Sequence, residues 1–161
     1  EQEDPSLANA AVATSVRSTV PVVVERAQYW PWTPDKWYES HGNTGSPIAW
    51  WHWGLAEGRI GGPEGYQTYI LFANENSDAA SVTIRFLRQG GPPVDKQLTV
   101  PPRSRFTLDV GNFLGPDITE SAFGAEIRSS QAITVERSMY ASVNGLFWSI
   151  GTNASATYLA W

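Results

Sequence analysis

The residues able to do chemistry are few, and their spacing does not bring them together. His41 and His52 are the only histidines, eleven positions apart, and there is no cysteine to supply a thiolate nucleophile or a soft metal ligand. No spacing places further ligands beside the two histidines, so no metal site and no cofactor is expected. Gly61-Gly62-Pro63-Glu64-Gly65 does not follow a strand and open a helix, as a phosphate cradle would. No serine sits in a nucleophile elbow. Glu25 and Glu136 are carboxylates of the kind a glycoside hydrolase pairs. They occupy equivalent places in a repeat described below, which points to a shared structural task. Arg26 and Arg137, next to them, fall in an apolar register, where a guanidinium needs a carboxylate or carbonyls around it. Asp78 with Asn74 and Asn76 reads as an Asx-type turn rather than a calcium loop. No acid, base and nucleophile converge, and a non-enzymatic chain is expected.

One constellation has a binding chemistry. Tyr29, Trp30, Trp32, Trp37, Tyr38, Trp50, Trp51 and Trp53 lie within 25 residues, interleaved with Pro31, Pro34 and Pro47. Buried at a subunit or domain contact, such rings supply large apolar area. Left exposed, Trp50, Trp51 and Trp53 are candidates to stack on sugar rings. Consecutive Trp50 and Trp51 point to opposite faces of a strand, so the two do not share one core. Asn153-Ala154-Ser155 fits the glycosylation acceptor pattern in an expected exposed loop.

The elements that must position these residues are strands. Charged residues are only 17% of the 161, and 14 Gly with 11 Pro punctuate short segments. Net charge is −5, and the nine arginines are scattered, which disfavours nucleic acid as a partner. No apolar run reaches the roughly 20 residues needed for a membrane-spanning helix. Glu1 in place of Met, followed by Gln2-Glu3-Asp4-Pro5, reads as the start of a processed, secreted chain. Period-two alternation marks Val82–Phe86, Val94–Val100, Phe106–Val110 and Phe123–Ile127. Tyr69-Ile70-Leu71-Phe72-Ala73 is apolar at every position, as in a central strand. Asn74–Asp78, Gln89–Pro93 and Pro101–Arg103 read as turns, and Val110–Thr119 holds a single helical turn.

An internal repeat carries more information than any motif. A shift of 111 positions aligns Val16–Tyr29 with Ile127–Tyr140, with six of fourteen residues identical: Arg17/Arg128, Ser18/Ser129, Val24/Val135, Glu25/Glu136, Arg26/Arg137 and Tyr29/Tyr140. The same shift pairs Trp37 with Trp148. The chain thus holds one full unit and an excess of 50 residues (161 − 111), and it begins and ends with versions of one segment. That segment reads as a hairpin, over 10–29 with its turn at Arg17-Ser18-Thr19 in the first copy and over 122–140 with its turn at Arg128-Ser129-Ser130 in the second.

Four stretches, in order, resemble a repeat family of large secreted and surface proteins of bacteria. They are Trp53-Gly54-Leu55-Ala56-Glu57-Gly58, Thr68–Asn76, Val100-Pro101-Pro102-Arg103-Ser104-Arg105 and Val135-Glu136-Arg137-Ser138-Met139-Tyr140. The resemblance implies tandem β-sandwich modules with a structural or adhesive role, and it brings no catalytic residues.

The expected fold is all-β, an antiparallel immunoglobulin-like sandwich of about seven strands over residues 49–161. An extra N-terminal hairpin and a Trp/Pro-rich connector fill 10–48, after a flexible 1–9. The expected role is a subunit of an extracellular filament or cell-surface assembly, self-associating head to tail by hairpin donation. Val12, Val16, Val22, Val24, Arg26, Tyr29, Trp30, Trp32, Trp37 and Trp161 are the expected contact residues. The alternative is a carbohydrate-binding or adhesive module whose partner is a polysaccharide.

Overall fold

In the computed structural model residues 4–33, 36–116, 118–144 and 146–160 are described, without the side chains of 31–33, 36–38, 146 and 147. Ten strands alternate with short turns: β1 (Glu25–Thr33), β2 (Lys36–Thr44), β3 (Trp50–Ile60), β4 (Gln67–Asn74), β5 (Ala80–Arg88), β6 (Val94–Val100), β7 (Ser104–Asp109), β8 (Ser121–Val143), β9 (Leu146–Ser155) and β10 (Thr157–Tyr158). One helical turn, α1 (Val110–Leu114), follows β7, with the Asp109 carboxylate accepting from the Asn112 amide at its start. All pairings are antiparallel. The all-β sandwich is as expected, with eight strands in the sandwich and two in a separate N-terminal hairpin.

The two layers share one strand. The first half of β8 pairs with β3 on one side and β5 on the other, giving the order β10–β3–β8–β5–β6. Its second half pairs with β4 and β9, giving β9–β8–β4–β7. Phe123, Ala125 and Ile127 are buried in the first half, and Ile133, Val135 and Arg137 in the second. All carry odd numbers, so the period of two runs unbroken through the crossover and one face of β8 stays inside both layers. Asn76 Nδ2 donates to the Ala132 carbonyl, and the Trp53 indole donates to that of Ile133, so the crossing stretch is held from both sides. Two expectations are corrected here. Residues 122–140 form one continuous strand rather than a hairpin, because Arg128-Ser129-Ser130 is the crossover and not a turn. Residues 10–29 are likewise no hairpin: 10–24 run without strand structure, and the N-terminal hairpin is β1–β2, at 25–44. Pro5–Leu7, in the expected flexible start, form a 3-10 turn capped by Asp4.

The core fills the space between the layers. Trp53, Phe72, Phe86, Ile70, Ile84 and Ile127 have almost no exposed surface, and each contributes roughly 1.5–3 kcal/mol by leaving water. β4 is central in its sheet, but only its even residues are buried. Its other face, with Tyr69 and Leu71, is half-buried. Val94–Val100 is an edge strand, bonded to β5 alone and mostly exposed on alternate residues. The Asx turn at the end of β4 does more than reverse the chain. Asn74, fully buried, donates to the carbonyls of Asp78, Val100 and Pro101, and its Oδ1 accepts from the Asn76 amide. One side chain thereby ties β4, the β4–β5 turn and the corner between β6 and β7. Asn74→Ala removes this donor from the three carbonyls, of which that of Pro101 keeps Ser104 Oγ as a second. Urea unfolding of the variant is expected to show a loss of about 3 kcal/mol, with an unchanged m-value.

Candidate functional site

The N-terminal hairpin lies on the sandwich of its own chain. β2 runs against β9, and one face of the hairpin, carrying Arg26, Trp30, His41 and Asn43, meets the outer face of the β8–β9 pair. The Trp30 indole donates to the Trp148 carbonyl at 3.0 Å, and its ring stands edge-on to Tyr140, with centroids 5.6 Å apart. Gly151 makes that approach available: a Cβ there would stand 2.5 Å from the Trp30 ring. Asn43 Nδ2 donates to Asn153 Oδ1 and to Ser155 Oγ, both at 2.9 Å. Arg26 pairs with Glu136 at 3.5 Å across the same junction. Both side chains are partly exposed, and such a pair contributes about 1 kcal/mol or less. Below Tyr140 the rings continue: Trp148 stacks on it at 4.7 Å, and the Trp148 indole donates to Gln67 Oε1 on β4. The arrangement is a polar and aromatic docking face, suited to holding a strand pair rather than to catalysis.

The expected contact residues separate into three groups. Arg26 and Trp30 are in this junction, while Tyr29 stands on the opposite face of β1, 57% exposed. Val12, Val16, Val22 and Val24 lie in the strandless stretch before β1 and are all exposed. Trp32 and Trp37 belong to β1 and β2 by their backbone, and their side chains, like Trp161 as a whole, lie outside the described residues.

The candidate sugar-stacking residues do not form one platform. Trp53 is 1% exposed and belongs to the core, its indole donating to the carbonyls of Trp50 and Ile133. It is removed from the stacking set because the alternation of β3 turns it inward. Trp50 is half-buried, its indole bonded to the Leu159 carbonyl, with Trp51 and Tyr158 edge-on to it at 5.1 and 6.0 Å. Trp51 and Tyr158 are the exposed members. Asn153, expected in an exposed loop, stands in β9. Its Nδ2, the atom a glycan would need, donates to Ser138 Oγ of β8, and its Oδ1 accepts from Asn43 of the hairpin.

The titratable groups have structural partners. His52 is buried with Nε2 2.8 Å from Glu126 Oε1, to which Arg128 Nη2 also bonds at 2.7 Å. Together they hold the Glu126 carboxyl below the ordinary carboxylate range. Arg137 is buried between Thr152, to which it donates at 2.9 Å, and Glu57 at 3.5 Å. Its repeat counterpart Arg26 also finds a carboxylate, as the apolar register of both requires. Among the described residues no three His, Asp or Glu side chains gather as metal ligands. Sequence reasoning missed Asn43, Ser138, Gly151 and Gln67, which build the junction. Small and polar, they carry no signal until β2 is laid on β9.

His41 makes the junction sensitive to pH. Its ring lies 5.4 Å from Trp30 and 6.1 Å from Tyr140, with Nε2 3.4 Å from the Tyr140 hydroxyl and Nδ1 buried without a partner. Burial and the nearby Arg26 charge push its pKa below 6.5. A released hairpin binds the proton more readily, so docking is strongest above that ordinary value and weakens as pH falls through it. Hydrogen exchange of the β1–β2 amides is expected to quicken between pH 7 and pH 5 beyond the intrinsic trend, and His41→Gln is expected to abolish the excess.

No family model matches the chain, and no curated protein matches it. Among solved structures, Thermotoga maritima 1070 superposes with a TM-score of 0.61 at 13% identity, over 69% of this chain and 96% of that one. The Anabaena sensory rhodopsin transducer gives 0.49 at 25% identity, over 58% and 91%. The first of these establishes a shared fold.

Proposed function

We propose that the chain is a structural, non-enzymatic subunit of an extracellular or cell-surface filament, joined head to tail through its N-terminal segment. The observation that carries this reading is the run of exposed apolar residues before β1. Val12, Val16, Val20, Val22 and Val23 are each at least half exposed and follow one another in a single stretch, whereas Leu87 and Ile150, the exposed aliphatic residues of the sandwich, stand singly. An extended apolar segment with free backbone groups adds readily to an open sheet edge, where main-chain bonds supply affinity and alternate side chains supply selectivity. A contact between one end of a copy and another place on the next is heterologous, and where it does not close it builds a fibre. Secretion fits this role. Among the described residues no helix is long and apolar enough to cross a membrane.

A second reading, a polysaccharide-binding module, rests on the exposed rings of Trp51 and Tyr158 on either side of Trp50. The two readings separate in one set of measurements. Under the filament reading, negative-stain imaging of the purified chain shows long assemblies, and a chain lacking residues 1–24 elutes near the monomer mass with its sandwich intact. Assembly that persists in the shortened chain overturns donation. A lone monomer whose tryptophan emission shifts with polysaccharide, and no longer does so in Trp51→Ala, supports the second reading instead.

A further inference from the structure

We propose that residues 10–44 are a second copy of the β8–β9 unit, and that they fit the β8 slot of a second copy of this chain in exchange for that copy's own β8, between β3 and β5 in one layer and beside β4 in the other. The proposal rests on the assembly reading above and names both the element donated and the place that receives it.

The hairpins are superimposable in register. β1–β2 pairs Glu25 with Thr44, Arg26 with Asn43, Ala27 with Gly42, Gln28 with His41, Tyr29 with Ser40 and Trp30 with Glu39. β8–β9 pairs Glu136 with Ser155, Arg137 with Ala154, Ser138 with Asn153, Met139 with Thr152, Tyr140 with Gly151 and Ala141 with Ile150. Adding 111 to both members of each first pair gives the second pair, six times in succession, and both ladders then shift register at the next step. Hairpin register is set by side-chain facing and turn length, so agreement on both strands means the two segments encode one structure.

The stretch before the hairpin matches as well. Ser121, Phe123, Ala125, Ile127, Ile133 and Val135 are the positions at which β8 enters the core. Their counterparts at a shift of 111 are Ala10, Val12, Thr14, Val16, Val22 and Val24, all small or aliphatic but for Thr14. Pro21, which lacks an amide hydrogen and would break a ladder, corresponds to Ala132. Ala132 is in the crossover, where Ser130, Gln131 and Ala132 stand opposite no residue of β3, β4 or β5. The largest exchange, Trp30 for Ala141, falls on the last regular pair before the shift.

The present surroundings of this unit leave its requirements unmet. Its valines face water, and the hairpin applies to a polar outer surface the same face that, on β8, carries buried Arg137 and Met139. His41 Nδ1 is enclosed there without a partner. In the slot, Arg26 would take the place of Arg137 beside Glu57 of the receiving copy.

The test uses full-length chains. Ile127→Asp with Val135→Asp puts carboxylates into the core through β8 and closes the slot to the chain's own strand. Co-expressed with a tagged wild-type chain, this variant is expected to be recovered folded, in a complex with it, and to be lost when the tagged chain carries Val16→Asp and Val22→Asp. Should the first variant fold by itself, adding Val16→Asp and Val22→Asp to the same chain is expected to unfold it. Failure of the wild type to rescue, rescue that survives the valine substitutions, or a quadruple variant that stays folded would each overturn the proposal. Filaments without rescue sink this proposal alone. Rescue without wild-type filaments sinks the filament reading alone.

Discussion

A strand that belongs to two sheets has to satisfy four neighbours, and the rest of the sandwich is arranged around the way β8 does so. Its first half bonds β3 and β5 and its second half β4 and β9. Between them lies a short passage in which the main chain has left one ladder and not yet joined the other. Main-chain groups in such a place need partners from side chains. Asn76 and Trp53 provide them at the carbonyls of Ala132 and Ile133, and Ser130 Oγ accepts the Ser81 amide. The Asn74 cluster then fixes the turn from which Asn76 reaches over. The loops nearest the crossover are therefore fixed by side-chain bonds, although they are turns by sequence.

The same sequence pattern occurs twice with two outcomes. Residues 127–135 are the centre of the core, and 16–24 are exposed. Local preference is similar in both, so the difference is tertiary: β3, β4 and β5 are already filled on the sides that a second such strand would need. Only the hairpin part of the pattern, which carries its own partner strand, forms strands in both places. Its docking on β8–β9 is built from a few polar bonds and rings around Trp30, a weaker kind of contact than the interdigitated aliphatic core.

Much of the fold was legible because burial follows period two. Val82–Phe86, Val94–Val100, Phe106–Val110 and the helical turn after Asp109 lie where alternation and turn residues place them. The centrality of Tyr69–Ala73 was legible from its unbroken apolar run. The continuity of β8 was not, because Arg128-Ser129-Ser130 has the composition of a turn and nothing in a one-dimensional pattern distinguishes a reversal from a passage between layers. The tryptophans were legible as contact-forming residues but not by partner. Trp53 turned inward, Trp30 went to the junction, and Trp51 stayed outside, a division set by the phase of each strand. Asn153 was misplaced for the opposite reason: Asn, Ala and Ser suggest a loop, and the pairing with Ser138 that makes them a strand is supplied by β8.

Pro21 has a further consequence for a protein that exposes Val20, Val22, Val23 and Val24 together. An accessible, uncharged run rich in β-branched residues is the composition from which disordered cross-β stacking starts. A proline inside that run removes one amide hydrogen and fixes one backbone angle, so the valines cannot template an uninterrupted ladder with an arbitrary neighbour. Glu25 and Arg26, immediately after, end the run with charge. The segment is thus guarded against indiscriminate aggregation by a residue that costs nothing where a partner strand has a gap at the matching place.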